Sequence, residues 1–207
     1  MLGLNKKELA VLKRLTTPMK IQAFLDSFPF NHEKTGETYM SPRRVLKAKK
    51  MHCLEGALVA GVALWLRGEE PWLVDLKAPG DLDHVIALYQ RNGYWGAISK
   101  TNHSVLRWRD PIYKTVRELV LSYFHEYSDD QTGRKTLRAY SAPFNLKKLG
   151  EDWITAEEEL FFIAQTLDER KHFSLVPKKN LRLIRPADQM ERRAGELIEW
   201  SKTNPKT

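Results

Sequence analysis

The sequence predicts an α+β fold in which helices flank a small antiparallel sheet. Residues 5–66 carry apolar side chains at helical spacing, residues 71–108 carry short apolar runs between turn residues, and helical spacing returns after Pro111. Helices and strands therefore occupy separate parts of the chain. The parallel sheet of an α/β fold would need strands and helices in alternation, so the order of elements favours α+β.

Three short helices are predicted before residue 50, each with a capping residue at its start. Asn5 precedes the first apolar stripe. Thr17-Pro18 and Ser41-Pro42 each combine a cap with a proline at the first helical position, so they predict a second helix and a third that ends near Lys49. Residues 28–40 contain proline, glycine and polar residues and predict a loop.

The run HCLEGALVAGVALWL at residues 52–66 predicts a buried helix, because its apolar residues cover every side. Gly56 and Gly61 each cost a helix roughly 1 kcal/mol relative to alanine, so each needs a packing reason. We expect the helix to approach a sheet or another helix closely at these two positions.

Four strands are predicted next, at residues 71–76, 83–90, 94–99 and 105–108. The second and third are joined across Asn92-Gly93, which predicts a β-hairpin with a type I′ turn. Pro111 is expected to open an amphipathic helix that continues to residue 124.

The remainder of the chain predicts a polar loop at residues 128–138 and helices at 160–167 and 187–200. We therefore expect a core at residues 1–127 and a loop-and-helix extension at residues 128–207 that packs on the same domain. A length of 207 residues suits one domain.

Composition narrows the class of protein. The single cysteine excludes an intramolecular disulfide, and the six histidines show no zinc-ligand spacing with it. No signal-peptide pattern and no apolar run of membrane-spanning length is present, so a cytoplasmic protein without a membrane partner is predicted. The net charge of +8 is scattered and accompanies no nucleic-acid-binding motif, which favours a solvated basic face over a nucleic-acid partner. The sequence indicates no oligomeric state.

Cys53 is the candidate nucleophile. It lies at the start of the predicted buried helix, where unpaired N–H groups and the helix dipole lower the pKa of a thiol. His84 opens a predicted strand and is the candidate base, because an imidazole can take the thiol proton and later return it to a leaving group. His52 is adjacent to Cys53, and we expect its side chain to diverge from that of Cys53.

The hairpin register indicates which residues could orient His84. If Asn92-Gly93 forms the turn, Ile86 lies opposite Ser99 and His84 lies opposite Thr101. Since side chains alternate between faces, Ser99 and Thr101 share the face of His84.

Asn102 is a further candidate for the orienting role. Its side chain would point away in a regular ladder, but a bulge near Lys100 would bring it round. Chemistry favours Asn102, whose amide oxygen can accept a hydrogen bond from an imidazole, whereas geometry favours Ser99 or Thr101. Both alternatives stay open at this point.

Nearby acidic residues have simpler interpretations. Asp83 and His84 are neighbours on a strand and face opposite ways, so a metal site with Asp81 is disfavoured. Asp75 could orient His84 if their strands pair, or it could cap a turn. Glu55 lies in the first helical turn, where the dipole favours a carboxylate. Its charge would oppose ionisation of Cys53.

Two runs, MHCLEGALVAGVALWLRGEEPWLVDL and DLDHVIALYQRNGYWGAISKTN, resemble the core of the transglutaminase-like superfamily, over about residues 41–112. That family places a cysteine at the start of a buried helix, a histidine on a strand and an acidic residue on the next strand, in a papain-like arrangement. The resemblance assigns Cys53 as nucleophile and His84 as base. The family's aspartate position falls within residues 99–102, where this sequence has none. Papain-like enzymes use asparagine in that role, which is consistent with Asn102.

Together these features predict a cysteine-dependent acyl-transfer enzyme, either a thiol hydrolase or protease or a transglutaminase-like transferase, that acts on an amide or ester bond in a protein or peptide substrate. Neither a cofactor nor a metal is required, and the backbone N–H of Cys53 is a candidate oxyanion donor. The missing aspartate favours an alternative, a degenerate domain that serves as a binding module. The net charge alone favours a third, a basic protein associated with nucleic acid.

Overall fold

An antiparallel sheet with helices on both faces forms the centre of the protein, in a computed structural model that describes residues 1–34 and 36–198. The helices are α1 (Lys6–Lys13), α2 (Pro18–Asp26), α3 (Pro42–Ala48), α4 (Cys53–Trp65), α5 (Val116–Leu121), α6 (Phe161–Asp168) and α7 (Gln189–Gly195). The strands are β1 (Trp72–Lys77), β2 (His84–Arg91), β3 (Tyr94–Ile98), β4 (Arg109–Tyr113), β5 (Ala139–Ser141), β6 (Phe144–Asn145) and β7 (His172–Ser174). The predicted α+β class is confirmed.

The first three helices begin where their caps predict. Asn5 accepts hydrogen bonds from the first-turn backbone of α1. Thr17 accepts from Lys20 N at 3.2 Å, and Ser41 accepts from Arg44 N at 3.3 Å. Each of these side chains satisfies an N–H group that has no acceptor inside the helix.

The sheet has the order β4-β3-β2-β1-β5-β7, and β6 pairs with β1 beside β5. The β2–β3 hairpin runs from the Arg91–Tyr94 pair to the Ala87–Ile98 pair, as predicted. Asn92 and Gly93 have φ values of 52° and 81°, both in the left-handed region that a type I′ turn requires.

The strand predicted at residues 105–108 is wrong. The strand in this part of the chain is β4, which lies several residues later, at Arg109–Tyr113. Pro111 lies inside β4 and does not open a helix. An edge strand tolerates proline, since one side of its backbone has no partner strand. The following helix begins at Val116, after Thr115 accepts a hydrogen bond from Glu118 N at 3.1 Å.

The region after residue 127 also contributes to the sheet, which the expectation of a polar loop and helices did not include. Strands β5 and β6 pair with the side of β1 that faces away from β2, and β7 pairs with β5. The predicted helix at 160–167 corresponds to α6. Of the predicted helix at 187–200, the structure has α7 at Gln189–Gly195, and residues 199–200 lie outside the described residues.

Helix α4 is buried along residues 54–64 because the sheet covers one side and α1, α2 and α3 cover the others. Its two glycines have the expected packing reason. A Cβ on Gly56 would lie 2.6 Å from Cβ of Lys100, and one on Gly61 would lie 2.7 Å from a methyl of Leu146. Within the described residues, no helix is long and apolar enough to cross a bilayer.

Candidate active site

Cys53 is the first residue of α4 and is partly exposed. Its backbone N–H belongs to the four at a helix start that have no acceptor within the helix. The preceding residue, His52, is the N-cap and has an extended backbone. The thiol therefore lies at the positive end of a buried helix dipole.

His84 is the first residue of β2 and is buried beside the end of β3. Its Nε2 atom lies 2.7 Å from the Ser99 hydroxyl, and that hydroxyl donates its proton to the Leu106 carbonyl at 2.5 Å. A hydroxyl has a single proton, so Ser99 must accept from Nε2 of His84. In the neutral imidazole, Nδ1 then carries no proton and is the basic nitrogen.

The backbone of Ser99 is held by a side chain from a distant helix. Gln22 of α2 accepts from Ser99 N at 2.9 Å and donates to Ser99 O at 2.8 Å. This amide takes the place of a partner strand and ends the β3 ladder at Ile98. The predicted ladder pairs of Ser99 and Thr101 therefore lie beyond the last pair that forms.

Leu106, which accepts from the Ser99 hydroxyl, has a left-handed backbone with a φ of 59°. Its N–H donates to the Glu126 carboxylate at 2.8 Å. A left-handed leucine is unfavourable unless its surroundings hold it, and such residues cluster at functional sites. Here the conformation directs the Leu106 carbonyl toward Ser99.

His52 and His84 both influence the ionisation of the Cys53 thiol. Burial raises the pKa of Cys53, whereas hydrogen bonds from His52 and His84 and the attraction of the two rings lower it. The net effect lowers the pKa of Cys53 well below its ordinary value, which favours the thiolate over the thiol.

The prediction that His52 diverges from Cys53 is wrong. It assumed helical geometry for both residues, but His52 is an N-cap and its backbone is extended. Nε2 of His52 lies 2.8 Å from the Thr38 carbonyl and 3.4 Å from the Glu55 carboxylate. Burial lowers the pKa of His52, but Cys53, Glu55 and Thr38 together raise it to about 9. The N-cap position was the feature of the sequence that could have revealed this contact.

Glu55 is fully buried and does more than interact with the helix dipole. Its carboxylate accepts from the backbone N–H groups of His52 at 2.9 Å and Met40 at 3.1 Å, and from the Thr38 hydroxyl at 2.9 Å. These bonds tie the loop at residues 28–40 to the start of α4. The sequence predicted the loop but not this attachment.

The other candidate residues lie apart from His84. Thr101 accepts from His103 N at 3.1 Å, and Asn102 follows in a partly buried turn. Within residues 1–34 and 36–198, Asn102 makes no hydrogen bond to His84. Asp75 does not orient His84 either, because its carboxylate faces His172 at 3.3 Å.

An acidic cluster near β1 contains a cation that the protein itself supplies. Asp75, Asp83 and Asp168 place carboxylate oxygens within 4.8 Å of one another. Lys77 lies between two of them, 2.7 Å from Asp83 and in contact with Asp168. This ammonium group takes the position where a cation would be needed, so the cluster is not a metal candidate.

Two surface clefts lie away from these residues. One of about 600 Å³ lies between α1, α2 and α3, and one of about 280 Å³ lies beside α5. Neither is lined by Cys53 or His84. Neither cleft therefore includes the candidate nucleophile or the candidate base.

No protein-family model matches this chain, and no curated protein matches it either. The fold and the site define an α+β protein with a Cys53–His84–Ser99 arrangement at the junction of a buried helix and a sheet. Its function has to be inferred from that arrangement.

Proposed function

We propose that the protein is a cysteine-dependent acyl-transfer enzyme that acts on amide or ester bonds. The observation that carries the proposal is the Cys53 thiol, whose pKa is lowered by His52 and His84, while Ser99 fixes the protonated nitrogen of His84. Nucleophile, base and orienting group are the three parts that covalent catalysis of this type requires.

The reaction follows from these positions. Nδ1 of His84 takes the Cys53 proton, and the thiolate sulfur forms a bond to the substrate carbonyl carbon while the carbonyl oxygen gains the electron pair. The backbone N–H of Cys53 can donate to that oxygen. Collapse breaks the bond to the amine or alcohol, which leaves with the proton from His84, and a thioester stays on Cys53. Water or an amine then attacks the thioester, gives its proton to His84, and releases the thiolate.

The order of elements supports a papain-like core of the transglutaminase-like type. The cysteine begins a buried helix, the histidine begins β2, and the orienting residue directly follows β3. In this proposal Ser99, and not Asn102, takes the third position. A hydroxyl can hold the tautomer of His84, but it adds no negative charge to stabilise an imidazolium. A protein or peptide is the proposed source of the acyl group.

The test uses the single cysteine of the chain. The protein is incubated with a 4-nitrophenyl ester, and intact mass and nitrophenol release are followed. We expect a burst of nitrophenol and a mass increase of one acyl group on Cys53. The Cys53→Ala variant should show neither, and His84→Ala should form the adduct far more slowly. A wild-type protein that gains no acyl group, although its cysteine reacts with iodoacetamide, would overturn the proposal.

A second candidate function is a binding module that retains the core without turnover. The specific observation in its favour is the neutral partner of His84, where the family that this sequence resembles has a carboxylate. In that case Cys53 would form a stable adduct with the ester probe, and neither water nor an added amine would release it.

A further inference from the structure

We propose that His52 is a second catalytic histidine, a fixed imidazolium that holds the Cys53 thiolate while His84 transfers the proton. The catalytic meaning of this inference rests on the proposed function. The ion pair itself can be tested without any substrate.

The hydrogen bond between His52 and Thr38 fixes the position of one ring proton, and the state of Cys53 decides the second. The Thr38 carbonyl, 2.8 Å from Nε2, can only accept, so Nε2 carries a proton. Nδ1 is then the ring nitrogen left for the interaction of His52 with the Cys53 sulfur. A thiolate also can only accept. Beside a thiolate both ring nitrogens donate, and the ring is then an imidazolium.

The charges around His52 favour the same state from every side. On α4, Glu55 lies 3.4 Å away, and on the loop before α3, Glu33 lies 3.9 Å away. The ring of Tyr39 packs edge-on at 6.4 Å. Glu159, just before α6, also interacts with His52 and forms its own ion pair with Arg44.

His84 has a different environment, and this separates the roles of the two rings. The hydrogen-bond partner of its Nε2 is the neutral hydroxyl of Ser99, and in the described part of the chain no carboxylate forms an ion pair with it. His84 can therefore gain and lose a proton during the reaction. His52 keeps its proton because the carboxylate of Glu55 is buried against it and is held in place by Thr38 and Met40.

The buried Glu55 thus has a role that the sequence did not suggest. A carboxylate beside a thiol opposes thiolate formation when it acts directly. Here the imidazolium of His52 contacts both groups, so Glu55 stabilises the cation that in turn stabilises the thiolate. Glu55 is a positioning residue in this scheme, since it acts on the sulfur through His52.

The experiment measures the pKa of Cys53 from the pH dependence of its alkylation by iodoacetamide. The variant is His52→Asn, because asparagine is a good N-cap and keeps the start of α4 while it removes the charge. We expect the pKa of Cys53 to rise by at least about one unit, which lowers the alkylation rate about tenfold at a pH below both pKa values. His172→Asn is the control, because His172 contacts Asp75 and not the thiol. It should leave the alkylation profile unchanged.

A second measurement protects the test against a variant that does not fold. In the wild-type protein, alkylation of Cys53 with iodoacetamide replaces the thiolate by a neutral thioether. The pKa of His52, followed by NMR of its ring, should then fall clearly below about 9. A folded His52→Asn protein with a wild-type alkylation profile would overturn the proposal, and so would a pKa of His52 that alkylation leaves unchanged.

The outcomes separate this inference from the proposed function. If the ester probe never acylates Cys53 but His52→Asn raises the pKa of the thiol, the ion pair stands and acyl transfer fails. If acylation occurs and His52→Asn changes neither the thiol pKa nor the acylation rate, acyl transfer stands and the role of His52 fails. Glu55→Gln, which keeps the shape of the side chain, should reproduce part of the His52→Asn effect.

Discussion

The Ser99 hydroxyl accepts a hydrogen bond from His84 at 2.7 Å and donates one to the Leu106 carbonyl at 2.5 Å. The direction of both bonds is therefore set by a residue outside the His84–Ser99 pair. A hydroxyl with this fixed direction does one part of what a carboxylate does in a catalytic triad, since it selects the tautomer of the histidine. It cannot balance the negative charge of the thiolate, and His52 lies where a positive charge is needed for this.

Replacement of Ser99 by alanine should impair His84 without unfolding the protein. The variant leaves the His84 N–H and the Leu106 carbonyl without their partner, which costs about 1–3 kcal/mol of stability for a buried group. Loss of the orienting bond should slow acylation of Cys53 by the ester probe about tenfold to a hundredfold. Burst kinetics and urea unfolding measure the two effects.

Ser104→Ala is the matched control, because that hydroxyl donates to the Ala194 carbonyl at an exposed position. The Ser104→Ala variant should change neither the acylation rate nor the stability appreciably. An acylation rate for Ser99→Ala equal to that of the wild type would remove Ser99 from the mechanism and reopen the choice of Asn102 as the orienting residue.

Replacement of Gln22 by alanine should weaken both the fold and the site. The Gln22 amide satisfies the N–H and the carbonyl of Ser99 inside the protein. Without it, each of these backbone groups loses its partner at a cost of about 1–3 kcal/mol. We expect a lower unfolding midpoint in urea and a slower acylation of Cys53, because Ser99 is no longer held against His84.

Gln165→Ala provides the comparison. The Gln165 side chain donates to Glu169 at 2.7 Å on an exposed face of α6, so its loss should change stability by less than about 0.5 kcal/mol. Equal losses of stability in the two glutamine variants would contradict the conclusion that the hydrogen bonds of Gln22 hold Ser99 in place.

Much of the site could be predicted because its signals are local. The apolar run after Cys53 identified a buried helix and its start, and Asn92-Gly93 fixed the hairpin register. That register placed Ser99 on the face of His84, where the structure has it. Short-range patterns of this kind depend on turn chemistry and on side-chain alternation, both of which a sequence carries directly.

The features that could not be predicted depend on contacts between residues distant in sequence, or on backbone geometry that leaves no periodic pattern in the sequence. The hydrogen bonds between Gln22 and Ser99 join two residues that are 77 positions apart. The contact of His52 with Cys53 depends on an extended N-cap. Strands β5, β6 and β7 have only two or three residues each, too few for an alternation of side chains to be recognised. Strands β5 and β6 pair with the free side of β1, and β7 pairs with β5.

Replacement of Gly56 by alanine should destabilise the protein although alanine favours helix formation. The new Cβ would lie 2.6 Å from Cβ of Lys100, a contact too short to keep without a shift of the backbone. Overpacking of this kind costs typically about 1–3 kcal/mol, against a gain of about 1 kcal/mol in helix propensity. Because Lys100 follows Ser99 directly, acylation of Cys53 should also slow. Urea unfolding and the ester burst measure both effects.

Gly195→Ala is the control for that variant. Gly195 ends α7, and the nearest atom to an added Cβ there is 3.8 Å away, an ordinary contact. Alanine should be neutral or should stabilise the protein by up to about 1 kcal/mol at this position. A Gly56→Ala protein as stable as the wild type would show that the start of α4 can move away from Lys100.

Asp75 should make the stability of the protein depend on pH. Burial and the neighbouring Asp83 carboxylate raise the pKa of Asp75 to about 6, although His172 and Lys77 partly oppose this. The ordinary value in an unfolded chain is about 3.9. Between these two pH values the folded protein binds more protons at Asp75 than the unfolded chain does. The contribution of Asp75 is therefore fully present below about pH 4 and is lost as the pH rises through about 6.

The Asp75→Asn variant should remove that loss, because an amide stays neutral at every pH and can either donate to Nε2 of His172 or accept from it. A shift of about two pKa units corresponds to roughly 3 kcal/mol, so above pH 6 the variant should be more stable than the wild type by up to that amount. Below pH 4 the two should be alike. Urea unfolding from pH 4 to pH 8 measures the difference, in which titrating groups that do not interact with Asp75 cancel. Asp152→Asn, at an exposed position, is the control. A difference in stability between Asp75→Asn and the wild type that stays constant across this pH range would contradict the shifted pKa of Asp75.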